Sequence, residues 1–495
     1  MLLALALGPA CSSAAKTEAV LTTLRVGVAL PPTGVPGTGV PALANSLVRE
    51  PLVSIGWDGR PVAKLASSWS WSDDRQTLTL QLDPKIKLHD GSTLTPEVAA
   101  LSLREALKSG YTQYSISFKS VTSVEATEGG KVTIRLSRPE AFLLADLANA
   151  ALTRPGNDRI GTGPFKYTDL TADLRGAELV KLAAFEEYHR GRPGVREVEL
   201  QPYQDQRAAW AALMRGDIDA VHEVSPGAMD FLENQTAINT FPHTRPYFIQ
   251  LLFSQRHRVL KQPLVRQALS RAIDREHIVK VALHGRGLVS HGPIWPQHWA
   301  YGLPPKTYTR NTEAATLLLD GAGYRVRPST EPGRMKSRFR FVCLTLANDA
   351  RYEKIGILLQ KQLFEIGVDM EVVALPAREL GLRLNSGNFD ALLLEFTSGR
   401  SLTWAYIAYH STLSAGGYRA ADAVLDKLRA APSETETRAA VNEFQRILYD
   451  DPPAIFLAWP VVARAVSSTF AVPGESGRDV MGSLWQWRPA SRPAP

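Results

Sequence analysis

Between Thr77 and Leu82 the chain alternates: Leu78, Leu80 and Leu82 are apolar, Thr77, Thr79 and Gln81 polar. A period of two puts every second side chain on one face, which predicts a strand with one buried side. Lys85 to His89 predicts a second short strand that ends at Asp90-Gly91, a pair suited to a turn. Thr95-Pro96-Glu97 predicts a helix start, with Thr as N-cap, Pro at the first helical position and Glu near the positive end of the helix dipole. Upstream, Thr23 to Leu30 predicts a first strand. The PPTGVPGTGVP run after it holds Gly34, Gly37 and Gly39. No helix start follows at nucleotide-loop spacing, so the run predicts a surface or cleft loop rather than a phosphate cradle.

Downstream the period shifts to that of helices. Gln206 to Met214 predicts a helix closed by Gly216 and followed by an Ile218–Val221 strand. The segment Leu384 to Leu392 repeats that order, although most helix-to-strand connections look alike. From Pro263 to Gly285 one helix is predicted, with Val265, Leu269, Ala272 and Ile273 on a shared face and Ile278, Val279 and Ala282 continuing it. Arg351 to Ile366 predicts another, with Ile355, Leu358, Leu359 and Leu363 inward. Gly367 ends it, and Val368, Met370 and Val372 then alternate as a strand. A last helix, Glu434 to Tyr449, runs into Pro452-Pro453-Ala454-Ile455-Phe456. Repeated helix-then-strand units predict α/β lobes with sheets covered by helices.

Length and composition narrow the picture. A chain of 495 residues exceeds one hydrophobic core, so two or three domains are expected. The net charge of +7 is spread along the chain with no dense basic run beside aromatic residues, which reads as a solvated surface rather than a nucleic-acid site. Past the N-terminus no apolar stretch is long enough to cross a bilayer. Cys343 lies in an apolar strand pattern and predicts a buried thiol. Cys11 follows MLLALALGPA, an apolar run ending in small residues, which is similar to a bacterial lipoprotein signal with Cys11 as the lipidated residue. Gly8 stands where such signals carry Leu, and a basic n-region is missing, so an apolar tail with an incidental Cys is the competing reading.

Several ordered segments carry a family resemblance. Leu65-Ala66 with Trp69, His89-Asp90-Gly91 and Leu94-Thr95-Pro96-Glu97-Val98 form one series. Gly161-Thr162-Gly163-Pro164-Phe165, Val265-Arg266-Gln267-Ala268 with Ala272-Ile273-Asp274-Arg275-Glu276, and the C-terminal helix with its proline-led strand extend it. Together they resemble extracellular solute-binding proteins of family 5, the oligopeptide- and dipeptide-type subunits of ABC importers, over roughly residues 45 to 470. The resemblance implies an α/β, two-lobed periplasmic-binding-protein-like fold (type II) with an additional domain inserted in the first lobe. Carried over, residues 1–15 form the signal-like N-terminus, and 20–46, 161–250 and 460–488 the first lobe. Residues 47–160 form the inserted domain and 251–459 the second lobe. It implies a monomer in the cell envelope that takes a peptide or other small solute to an ABC permease with its ATPase. No cofactor and no nucleic acid are expected, and the membrane is reached only through a lipid on Cys11.

The search for chemistry agrees with binding. No nucleophile elbow, zinc-helix motif, Cys-x-x-Cys or phosphate loop is present, so no catalytic residue is assigned; a hydrolase on the same fold remains the alternative, because spatial triads leave no local trace. His277 and His284 on one predicted helix, with His291 and His298 after it, raise a metal or metal-chelate reading, but the loop pair has no fixed geometry and no metal ligand is assigned. Asp219 and Asp390 would act as a pair only if the fold joined them. For a solute cleft two aromatic loops are the candidates: Trp295, Trp299 and Tyr301, then Arg400, Trp404, Tyr406, Tyr409 and His410, with Phe248 at the lobe crossing. The competing reading is that these rings pack the loops onto their own domain. Peptide-binding members carry a Trp-x-x-Asp-Tyr-x-Asp-Pro-like stretch whose acid pairs with the ligand's amino group. Here the segment is Glu395-Phe396-Thr397-Ser398-Gly399-Arg400-Ser401-Leu402-Thr403-Trp404, with no acid after Phe396, and Phe253-Ser254 stands where Phe-Asn is usual. A buried ammonium without its carboxylate is costly. The expectation is an anionic or neutral solute, or a peptide held by another group, with Arg400 able to grip a carboxylate or phosphate bidentately.

Overall fold

The computed structural model describes residues 23–29, 39–108, 115–169, 179–232, 235–302, 306–326 and 337–490. Cys11 and the glycine-rich 30–38 segment lie outside them. Among the described residues twelve strands form one sheet: β1 (Thr23–Ala29), β2 (Phe165–Tyr167), β3 (Val180–Ala184), β4 (Glu197–Tyr203), β5 (Ala220–Val224), β6 (Ile238–Thr244), β7 (Tyr247–Phe253), β8 (Gly287–Val289), β9 (Phe339–Leu346), β10 (Val368–Leu375), β11 (Ala391–Thr397) and β12 (Ala454–Ser467). Their order is β2-β3-β4-β1-β5-β12-β7-β11-β9-β10, with β6 and β8 also paired to β12.

The 14-residue β12 joins two lobes. Its first part, Ala454 to Pro460, pairs with β7 and β8, and its last part, Val461 to Ser467, with β5 and β6. Each lobe is a sheet with a packed layer on both faces. Along β7, Ile249, Leu251 and Phe253 enter one core with the Arg275–Ala282 and Ala350–Phe364 helices. Phe248 and Leu252 enter another with the Thr403–Tyr409, Asp422–Ala430 and Glu434–Asp450 helices. Strand alternation alone divides these two layers.

Residues between Leu52 and Leu152 build a separate core. A four-stranded antiparallel sheet (Ala66–Trp71, Thr77–Leu82, Lys131–Leu136, Val121–Thr127) packs there on the Pro96–Lys108 helix, and Leu78, Leu80 and Leu82 face inward as their alternation predicts. The Gly161-Thr162-Gly163 turn returns the chain to the first lobe. A Cβ on Gly161 would stand 2.1 Å from the Val48 carbonyl oxygen, so only glycine fits. Buried Glu50 fastens the same seam, accepting hydrogen bonds from Tyr188 (2.7 Å) and Thr162 (3.2 Å) beside His189 and Lys64. Burial works against its ionisation, but the His189 hydrogen bond and the Lys64 charge prevail and hold it down to about 2.

Three expected elements differ. Lys85 to His89 is no strand; it makes one bridge, Lys87 to Thr93, inside a wide turn. A helix, Gly39–Val48, does follow the glycine-rich run. The single helix of Pro263 to Gly285 is two, Pro263–Ala272 and Arg275–Ala282, because Asp274 turns extended and caps the second through the His277 amide at 2.8 Å. The Gln206–Arg215 helix is capped by Asp205, which accepts from Ala208 N at 2.8 Å, and closed by left-handed Gly216. Asp205→Ala is expected to cost about 1 kcal/mol in denaturant titration, the usual worth of such a cap.

Candidate functional site

Open α/β sheets hold ligands beyond the carboxyl ends of their parallel strands. In the first lobe β1 and β5 are parallel; in the second, β9, β10 and β11 are. Val224, the last residue of β5, pairs with Ala463, and Thr397, the last of β11, pairs with Tyr247. Both ends therefore reach the place where the chain crosses between lobes, at Arg245-Pro246 and at Pro460. The Arg245 amide donates to the Pro460 carbonyl at 3.1 Å and ties the two crossings together.

Alternation places different charges on the two faces of these crossings. On one face Arg464 donates twice to Asp479, at 2.9 and 2.6 Å, and to the His222 carbonyl, with His243 3.7 Å from Asp479. Burial opposes ionisation of Asp479, but Arg464 overcomes it and holds the carboxyl well below the usual range. Burial also pushes His222 down to about 3 and lowers His243, so both are neutral at pH 7. The other face carries a chain of ion pairs. Arg245 meets Glu223 at 3.1 Å and Glu395 at 3.6 Å, and Arg351 meets Glu395 at 3.1 Å and Asp349 at 2.8 Å.

Arg400 stands at the carboxyl end of β11. Gly399 and Arg400 are both left-handed, at φ 53° and 56°, a conformation that strains the arginine. Its amide donates to Ser398 Oγ at 3.3 Å, and its guanidinium lies 5.5 Å from the Trp57 ring centroid. Among the described residues no carboxylate comes within ion-pair range of it. Burial lowers its pKa, and the charge of Asp479 in the first lobe only partly offsets that. A partly desolvated cation without a contacting acid is a ready anion acceptor.

Three of the aromatic candidates, Trp295, Trp299 and Tyr406, meet the inserted domain at its seam with the second lobe, and the others pack within the second lobe. Trp295 donates Nε1–H to the Trp57 carbonyl at 2.9 Å and packs edge-on against Trp57 and Trp459. The Trp299 amide donates to the Asp58 carbonyl at 2.8 Å, and its ring lies beneath Arg60 and Arg438. Tyr301 is half-buried beside it, its amide donating to the His298 carbonyl. The Thr397–His410 stretch, expected as a loop, is helical over Thr403–Tyr409. Trp404 lies against Gly399, where a Cβ would fall 2.4 Å from its Nε1. Tyr406 stacks on His410 at 4.3 Å and donates to Asp426 at 3.0 Å. Tyr409, fully buried, donates to Gln250 at 2.6 Å. Phe248 packs on Phe456 and Trp459. Phe248, Trp295 and Tyr409 are 1% exposed or less and present no face to a solute in this conformation.

The four histidines do not converge. His284 lies beyond the helix that holds His277, at φ 53°, 3.6 Å from Asp230 of the first lobe. His291 faces a cavity of about 20 Å³ beside Arg275, and His298 packs on Gly59. Among the described residues no group of three or more His, Cys, Asp or Glu is placed to hold a metal. Asp219 pairs with Arg25 and Asp390 accepts from the Val342 amide, in different lobes. Cys343 is buried, and burial pushes its thiol up to about 12. No helix among the described residues is long and apolar enough to cross a membrane. Sequence reasoning missed His222, His243, Arg464 and Asp479. Their one signal was Arg464, a charge in the otherwise apolar AIFLAWPVVARAVS strand.

Known proteins share this architecture. The model of the bacterial extracellular solute-binding proteins, family 5 (middle), matches residues 60–417. The oligopeptide-binding protein AppA of Bacillus subtilis is 25% identical over 433 residues, 80% of this chain and 78% of AppA. The glutathione-binding protein GsiB of Pectobacterium atrosepticum is 26% identical over 337 residues, 65% of this chain and 62% of GsiB. Among solved structures, NikZ of Campylobacter jejuni with Ni(L-His) superposes with a TM-score of 0.79 at 23% identity, covering 94% of this chain and 99% of NikZ. CtaP of Listeria monocytogenes reaches 0.81 at 21% identity, covering 95% and 99%. With a match spanning most of its length and the two-lobed sheet in place, the chain belongs to the bacterial extracellular solute-binding proteins of family 5.

Proposed function

We propose that this protein is the substrate-binding subunit of an ABC importer, that it captures a small solute between its lobes at Arg400, and that the solute carries an anionic group. Family membership supports the transport role, and the relatives above are binders rather than enzymes. The carrying observation for the solute class is Arg400, strained, partly desolvated and without an acid in contact among the described residues. In this reading residues 20–46, 161–250 and 460–488 move as one lobe with the 47–160 insert, and 251–459 as the other. The closed form presents both lobes to the permease and its ATPase outside the cytoplasmic membrane, as a monomer in the cell envelope that Cys11 anchors if it is lipidated. A metal chelate is the second reading, favoured by the NikZ likeness, and a chelate with free carboxylates would also suit Arg400.

Native mass spectrometry of protein purified without refolding tests this. A trapped solute bearing a carboxylate or phosphate is expected. A trapped solute with no acidic group would overturn the anionic reading and leave solute capture standing. Failure to trap or bind any small molecule would overturn capture itself.

A further inference from the structure

The inserted domain lends two buried acids to the second lobe. Glu140, with a side chain wholly buried, receives two hydrogen bonds from Arg429 at 2.8 and 2.6 Å, and the Ala141 amide donates to the Arg429 carbonyl at 2.8 Å. Asp146, 1% exposed, has a different set. Its Oδ2 accepts from the Ser117 amide at 3.0 Å and the Ser117 hydroxyl at 2.6 Å, and its Oδ1 accepts from the Thr403 hydroxyl at 2.9 Å. Among the described residues no cation contacts it. The surrounding charges are Glu140, with Arg138 and Arg429 already committed to Glu140. The Thr403–Tyr409 helix adds Tyr406, whose ring lies 6.2 Å from that of Phe142, and the Ile116–Ser120 turn adds only exposed Lys119.

A carboxyl shut away from water with no cation in contact disfavours its own ionisation, even though the hydroxyls that donate to it pull the other way. Burial raises the Asp146 pKa to about 6, against the opposing hydrogen bonds of Ser117 and Thr403 and with help from the Glu140 charge. Thr403 belongs to the second lobe, so separating the lobes lets water reach this carboxyl and returns it toward its ordinary value.

We propose that the seam between the inserted domain and the second lobe is the latch of the closed clamp, and that Asp146 makes the latch proton-dependent. The sign follows from linkage. A carboxyl whose pKa is higher in the closed than in the open form binds its proton more tightly when closed. Closure is therefore favoured below about pH 6 and weakened as pH rises through that value. A proton on Oδ1 lets Asp146 donate to Thr403 Oγ1 while Oδ2 keeps both Ser117 bonds. The Asp146→Asn variant, with its side-chain amide nitrogen toward Thr403, reproduces that pattern at any pH.

The test measures closure directly in the ligand-free full chain. Spin labels are placed on E128C and T435C, exposed positions on the insert and the second lobe, in a Cys11→Ser background, and interlobe distances are read by pulsed dipolar spectroscopy at pH 5 and pH 8. The ratio of short to long distances is expected to fall about threefold or more from pH 5 to pH 8, within the tenfold allowed per unit of pKa difference. D146N is expected to hold the pH 5 ratio at both values. A ratio that does not change with pH, or one that still changes in D146N, overturns the latch. T403V should lower the ratio at both pH values, and an unchanged ratio there overturns the seam's role. The inference rests on the two-lobed clamp but not on any solute: a protein that closes with acid yet binds nothing would fault the capture reading alone.

Discussion

Arg400→Ala is expected to weaken binding of a carboxylate- or phosphate-bearing solute by roughly ten- to a hundredfold. A hydrogen bond to a charged group contributes about 1.5–3 kcal/mol, and about 1.4 kcal/mol is a factor of ten. Arg400 is already partly desolvated, so an anion bound there would meet a cation that has already lost part of its water. Two further variants separate charge from backbone. Arg400→Gly suits the left-handed φ of 56° and removes the charge, so it should lose as much affinity as the alanine variant while folding at least as well. Arg400→Lys keeps the charge but not the two-pronged geometry, and should recover only part of the affinity. Isothermal calorimetry with the solute identified by mass spectrometry measures all three. Full affinity in the alanine variant would exclude Arg400 as the anchor.

Arg429→Ala is expected to cost about 3 kcal/mol, because removing one partner of a buried ion pair strands the other. The stranded group is Glu140, left with Arg138 at 3.1 Å and the Ser120 hydroxyl. Chemical denaturation followed by tryptophan fluorescence reports the loss, since Trp57 and Trp295 lie in the same seam. The double variant Arg429→Leu with Glu140→Gln should regain much of it by removing the orphaned charge along with its partner. A single variant within about 0.5 kcal/mol of the parent, the usual range for a neutral surface change, would mean that this pair does not hold the seam.

Local signals carried most of the fold. The Leu78–Leu80–Leu82 alternation, the Gly216 cap and the capped Pro96–Lys108 helix lie where short-range chemistry puts them. The misreadings have equally local causes. The apolar pattern runs unbroken from Pro263 to Gly285 because both helices face the same core, so periodicity passes over the extended Ile273-Asp274 step. The Thr403–Tyr409 helix is short, starts without a side-chain cap and is rich in Tyr, Thr and Ile, which favour strands. At the candidate site, the absence of an acid after Phe396 was legible, and the structure likewise leaves Arg400 with no carboxylate in ion-pair range among the described residues. The His222–Arg464 contact joins residues 242 apart, a closeness no local pattern encodes. The same distance explains the aromatic rings: their residue types suited a cleft, but Trp57, too far upstream to read as their partner, covers Trp295.

The shared strand β12 also governs the order in which the molecule can be built. It is the neighbour that β5 and β7 both need, and it is the last of the twelve strands in chain order. Until it arrives, both half-sheets keep an unpaired edge, the kind of surface on which nascent chains stick to one another. A message cut short before the codon for Ala454 would therefore yield no half that is finished, only two open seams awaiting one missing ribbon.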